Sequence, residues 1–201
     1  LHCLKKIPTF ALMQRLIFLA VISVFLSSCG SSDKSSSGTE MKTADPHSFA
    51  RPNEAVVRHL DLDLKVDFTA KKLSGTATLN IENISKGTLL HLDTRDLHID
   101  SVMLDDGSVT KWDMMPAAPF VGSELVIHIK PATRKVKIAY STSPEAAALQ
   151  WLSPEQTAGG KKPFLFTQSQ AILARTWIPL QDSPGIRFTY NAKITCPPDL
   201  M

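Results

Sequence analysis

The sequence predicts an all-β fold of mainly antiparallel, sandwich-like sheets, and three observations carry that prediction. Apolar residues recur at every second position in five separated segments, around residues 60–68, 73–81, 125–129, 136–140 and 186–194. Turn-forming residues separate successive short segments at intervals of about ten residues, the rhythm of sandwich strands. No stretch shows the three-to-four-residue apolar spacing of an amphipathic helix.

In chain order, the first element is a leader. Met13-Gln-Arg15 precedes an apolar run of 11 residues, Leu16 to Leu26, and then Ser27-Ser28-Cys29-Gly30. A basic start, a short apolar core and small residues before a cleavage point make residues 13–28 a secretory signal peptide. The run is too short to span a bilayer, which takes roughly 20 residues. Leu26-Ser-Ser-Cys29 resembles the bacterial lipobox, so Cys29 is expected to be lipidated and to hold the chain at the cell envelope. Residues 1–12 then read as upstream sequence, and residues 29–44, rich in serine, as a flexible tether. The start at Leu1 and the stop at Met201 are taken as marks of a fragment.

The folded part is expected over residues 45–201. Leu60, Leu62, Leu64, Val66 and Phe68 alternate with His59, Asp61, Asp63, Lys65 and Asp67, a half-buried strand. A polar turn at residues 69–72 leads to a second such face, Leu73, Ala77, Leu79 and Ile81, with Ser74-Gly75 read as a bend or bulge at its start. Leu90 and Leu92, Leu97 and Ile99, and Val102 and Leu104 continue the series in short pieces. Asp105-Asp106-Gly107 is a hairpin signal. Strands follow at Leu125, Ile127 and Ile129, and at Val136, Ile138 and Tyr140. Residues 146–160 break the rhythm and read as a packed loop anchored by Trp151 and Leu152. The last strand carries Ile186, Phe188, Tyr190, Ala192 and Ile194.

Several chemistries are excluded. The net charge of +3 comes without any Lys/Arg cluster interleaved with aromatics, so nucleic acid is not an expected partner. Cys3, Cys29 and Cys196 have neither paired nor metal-ligand spacing. His59, His91, His98 and His128 fall singly on strands without an HExxH, and Asp61, Asp63 and Asp67 line a solvated face. No GxSxG, SxxK or phosphate-binding loop occurs.

Phe164-Leu-Phe-Thr-Gln-Ser-Gln-Ala171 stands apart, because polar side chains interrupt an apolar, strand-like segment. In an extended chain Phe164, Phe166 and Ala171 would pack, and Gln168 and Gln170 would share one face. Two carboxamides aimed the same way can bind a ligand's backbone or terminal group, or simply face solvent. Together with Ala148-Leu-Gln-Trp-Leu-Ser-Pro-Glu-Gln-Thr157 and Gln181-Asp-Ser-Pro184, this stretch closely resembles the N-terminal domain of leukotriene A(4) hydrolase and its aminopeptidase N-like zinc-peptidase relatives. Val66-Asp-Phe-Thr69, Ser74-Gly-Thr-Ala77 and Leu92-Asp-Thr-Arg-Asp-Leu97 fit the same domain.

The resemblance covers essentially all of residues 45–201 and implies a saddle-shaped β-domain over the active site of a following zinc domain. It implies that Gln168 and Gln170 line the substrate cleft, with Gln170 at the free amino terminus of a peptide and Ser169 in contact through its backbone. Many relatives place glutamate at the second position. Gln170 offers only a carbonyl oxygen there, as in the leukotriene hydrolase branch. Asp182 and Pro184 match a structural turn. The GxMEN segment, the HExxH helix with its distal glutamate, and the catalytic tyrosine are not among these residues, so zinc and catalysis are expected only in an intact protein that carries a catalytic domain. The other reading is a stand-alone, lipid-anchored β-module that binds without chemistry.

Overall fold

The computed structural model describes residues 45–200, and the expected signal peptide, lipidated Cys29 and tether lie outside them. Ten strands form two main sheets and a ribbon. A five-stranded sheet runs β10-β1-β2-β7-β4, built from β1 (Ala55–Asp67), β2 (Lys72–Asn83), β4 (His98–Leu104), β7 (Lys135–Ser141) and β10 (Thr189–Thr195). A three-stranded sheet runs β3-β6-β5, from β3 (Leu89–Thr94), β5 (Trp112–Met114) and β6 (Ser123–His128). β8 (Leu149–Leu152) and β9 (Phe164–Thr167) make the ribbon. Among the described residues only β1 and β10 pair in parallel.

The alternation read in the sequence becomes burial. Leu60, Leu62, Leu64 and Val66 of β1 share one core with Leu73, Ala77, Leu79 and Ile81 of β2 and with Val136, Ile138 and Tyr140 of β7. Leu90, Leu92, Leu125 and Ile127 of the smaller sheet close it from the other side, giving the expected sandwich-like architecture. The turn between β1 and β2 is set by Asp67, whose Oδ1 accepts from the backbone N–H of Thr69 and Ala70 at 2.9 and 2.8 Å. Gly107 closes the expected hairpin after β4 with a φ of 79°.

Three local expectations change, and one unanticipated register shift appears. Leu97–Leu104 was expected in pieces, yet β4 is one strand with a register shift between Ile99 and Ser101, so Ile99 and Val102 are both buried although three apart. A similar shift between Val57 and His59 buries both Val57 and Leu60. Ser74-Gly75 is not a bend, because Gly75 pairs in register with Leu64 and Tyr140 inside the sheet. Residues 146–160 are not only loop. They contribute β8, which pairs Trp151 with Leu165, and Trp151 stacks edge-on against Phe68 with ring centroids 5.5 Å apart.

Candidate functional site

The Gln168–Gln170 segment sits at the end of the β8–β9 ribbon. β9 stops at Thr167, so the extended run expected through Ala171 is corrected to a strand followed by a turn. Two hydrogen bonds cause the change. The Gln168 backbone N–H donates to the carbonyl of Ala148 at 2.9 Å, which continues the ribbon by one contact. The Gln168 side-chain oxygen then accepts from the backbone N–H of Gln170 at 2.9 Å and curls the chain. The two carboxamides therefore do not stand side by side. Gln168 is committed to its own backbone, and the Gln170 carboxamide is exposed without a partner among the described residues.

The expected packing of Phe164, Phe166 and Ala171 is also corrected. Phe164 is 55% and Phe166 44% exposed, and Ala171 is exposed. Burial in this ribbon falls instead to Leu149, on β8.

Ser169 is the fixed point of the turn. Its hydroxyl oxygen accepts from the Trp177 indole N–H at 3.1 Å, and its carbonyl accepts from the Leu173 N–H at 2.9 Å. Trp177 is anchored in turn, since its carbonyl accepts from the Tyr140 hydroxyl at 2.9 Å and Tyr140 is wholly buried. That burial pushes the Tyr140 phenol well above its ordinary pKa, so it remains a donor. Nothing in the sequence singles out Trp177. Its partner Ser169 lies across a non-repeating loop, and no periodicity links them.

Beneath the turn lies a charged knot made by the Gln181–Pro184 motif. Arg175 and Asp93 are both fully buried. Arg175 donates to the Asp182 carboxylate at 3.1 Å, to the Asp182 carbonyl at 2.9 Å and to the Val121 carbonyl at 2.8 Å, and lies 3.6 Å from Asp93. Asp93 accepts from the Ser48 hydroxyl at 2.6 Å and from the backbone N–H of Phe49 and Asp182 at 2.7 and 2.8 Å. Gln181 joins β1, accepting from Val57 N–H and donating to the Ala55 carbonyl, both at 2.9 Å. Asp182 is thus structural, as expected, while the rest of the knot was not legible.

An apolar groove of about 560 Å³ opens beside the turn, with Leu60, Leu62, Tyr190 and Ile194 along the sheet and Ser169 and Trp177 on the opposing wall. Neither glutamine lines it. Of the strand histidines, His91 is the one deeply buried, held by Glu124 at 2.6 Å. Among the described residues no group of three or more His, Cys, Asp or Glu is placed to hold a metal ion. The arrangement is a rigidly footed polar turn beside an apolar concavity, suited to hydrogen bonding.

Comparison with known proteins agrees with the motifs. The profile of the peptidase M1 N-terminal domain matches residues 56–201. A leukotriene A-4 hydrolase from Xenopus laevis is 37% identical over 164 residues, 79% of this chain and 27% of the relative. Leucine aminopeptidase 2 from Yarrowia lipolytica is 39% identical over 155 residues, 75% of this chain and 24% of the relative. The structure of a yeast leukotriene A4 hydrolase in complex with bestatin superposes with a TM-score of 0.72 at 32% identity, covering 80% of this chain and 26% of that one. The chain spans about a quarter of the length of these relatives.

Proposed function

The chain belongs to the peptidase M1 N-terminal domain family, and from that membership we propose that it forms one wall of the peptide cleft of a zinc-dependent aminopeptidase. The observation that carries the reading is the Gln168–Gln170 turn, held at Ala148, Leu173 and Trp177 while the Gln170 carboxamide points free. A free carboxamide oxygen on a rigid footing accepts a hydrogen bond from the ammonium of a peptide's first residue, and little entropy is lost because the turn is already formed. Ser169 offers backbone groups next to it, and Gln168 keeps the turn's shape. When bound, zinc would polarise the scissile carbonyl and activate water. Among the described residues no group is placed to hold it, and this reading assigns the metal to a catalytic domain beyond the β-domain.

The test is release of amino acids from aminoacyl chromogenic substrates by the whole, zinc-loaded gene product. Gln170→Ala is expected to lower kcat/KM by about 10- to 100-fold, chiefly through KM, as loss of a hydrogen bond to a charged group predicts. Absence of any release by the unaltered protein overturns the aminopeptidase reading. Unchanged kinetics in the variant removes Gln170 from recognition.

The leader makes this an envelope protein anchored through Cys29. Cys29→Ser is expected to abolish incorporation of labelled palmitate and to move the chain out of the membrane fraction. Retained label would refute lipidation at this cysteine.

A further inference from the structure

We propose that the buried hydroxyl of Thr176 is the positioning group for Gln170. This side chain touches no ligand, yet it tunes how tightly the amino terminus of a peptide is held. The inference rests on the cleft-wall reading above and adds the residue that fixes its geometry. Thr176 ends a short 3-10 turn, Ala174–Thr176, and is 1% exposed. Its hydroxyl oxygen accepts from the Ala148 backbone N–H at 3.1 Å, and its proton is donated to the Leu173 carbonyl at 2.7 Å. The hydroxyl's single donor and one of its acceptor sites are thus both used inside the protein.

Those two partners are the residues that carry the Gln168–Gln170 turn. The Ala148 carbonyl accepts the Gln168 N–H at 2.9 Å, where the ribbon ends, and the Leu173 N–H donates to the Ser169 carbonyl at 2.9 Å. Through one oxygen, Thr176 therefore ties the footing on which the turn begins to the footing on which it closes. Ala148 is fully buried, so no water takes the place of a lost hydroxyl at its N–H. The neighbours of Thr176 serve other contacts. Arg175 belongs to the charged knot, and Trp177 reaches the Ser169 hydroxyl through its indole N–H. A carboxamide carried on a turn keeps its aim only when the hydrogen bonds beneath it are themselves locked. Thr176 supplies that lock from the core.

Thr176→Val removes the hydroxyl at nearly constant volume and Thr176→Ser keeps it, so the pair separates hydrogen bonding from packing. In the full 201-residue chain, amide hydrogen exchange at Gln168 and Leu173 is expected to quicken about 5- to 10-fold in Thr176→Val, the size of one lost hydrogen bond. Exchange at Leu79 and Ile81 of β2 should not change. In the whole, zinc-loaded gene product the same variant should raise KM for aminoacyl substrates about 5-fold while kcat stays within about twofold. Thr176→Ser should return both readouts to those of the parent. Thr176→Cys, which keeps a weaker hydrogen-bonding group, is the substitute should the valine variant not fold, and it should show the same changes at reduced size. Unchanged exchange at Gln168 and Leu173 overturns the proposal whatever the kinetics. So do equal changes in the serine variant, which would assign the effect to packing. A KM that rises in Gln170→Ala but not in Thr176→Val overturns it too. If Gln170→Ala leaves KM unaltered, the recognition reading falls, and quickened exchange alone then supports Thr176 as the group that positions the turn.

Discussion

Arg175→Leu is expected to lower the unfolding free energy by about 3–5 kcal/mol at pH 7, the usual consequence of removing one partner from a buried ion pair. The reason lies in what remains. Arg175 is fully buried and supplies the cation facing Asp93 and Asp182, as well as the donor that satisfies the Val121 carbonyl. Leucine fills much of the space but leaves the buried Asp93 charge 3.6 Å from nothing positive. Asp93 also ties Ser48 and Phe49 at the start of the domain to β3, so the loss spreads beyond the knot.

The penalty should depend on pH in a definite direction. Burial pushes the Asp93 carboxyl above its ordinary value of 3.8, while its hydrogen-bond donors and Arg175 pull it back. The stability linked to such a raised group is present in full below the ordinary value and is lost as pH rises through the folded one. Removing the guanidinium lets the carboxyl rise further, so acidification relieves the variant more than the parent. Urea unfolding followed by tryptophan fluorescence should show a smaller difference at pH 5 than at pH 7. A difference below about 1 kcal/mol at both pH values would mean that the knot is dispensable.

Gly75→Ala should be comparably damaging, by about 3–5 kcal/mol, as overpacking and backbone strain act together. Gly75 lies within β2, paired with Leu64 on one side and Tyr140 on the other. Its φ is 151°, and a Cβ there would overlap the backbone carbonyl oxygen of Asp63 and sit 3.1 Å from the Cα of Leu64. Relief requires β1 and β2 to separate in the centre of the five-stranded sheet, where Leu62 and Ala77 meet. Gly107→Ala is the control. That residue also has a positive φ, 79°, but no atom lies within 4 Å of the added carbon. Its cost should be about 1 kcal/mol, from strain alone. Equal losses at the two positions would show that crowding against β1 is not what requires glycine at 75.

What could be read from the chain follows the range of the forces involved. β1, β2 and β7 were legible because each buries chiefly one face, and a period of two leaves its mark in the order of residues. The register shifts in β1 and β4 were hidden, since a bulge reverses the phase and splits one strand into apparent pieces. β8 is four residues long and exists by virtue of its partner β9. At the site, the motif placed Gln168, Ser169 and Gln170 together, but pointing both side chains the same way assumed an extended chain. A side chain that bonds its own backbone two residues on decided otherwise.

The all-β class and the polar interruption of an apolar segment at Gln168–Gln170 were written in the order of residues, because alternation and composition are local properties of neighbours. Only the tertiary structure decided that Asp93 meets Asp182 across 89 residues and that Gln181 meets Val57 across 124. Those outcomes depend on which buried polar groups find partners once the sheets have closed, and no spacing along the chain encodes that pairing.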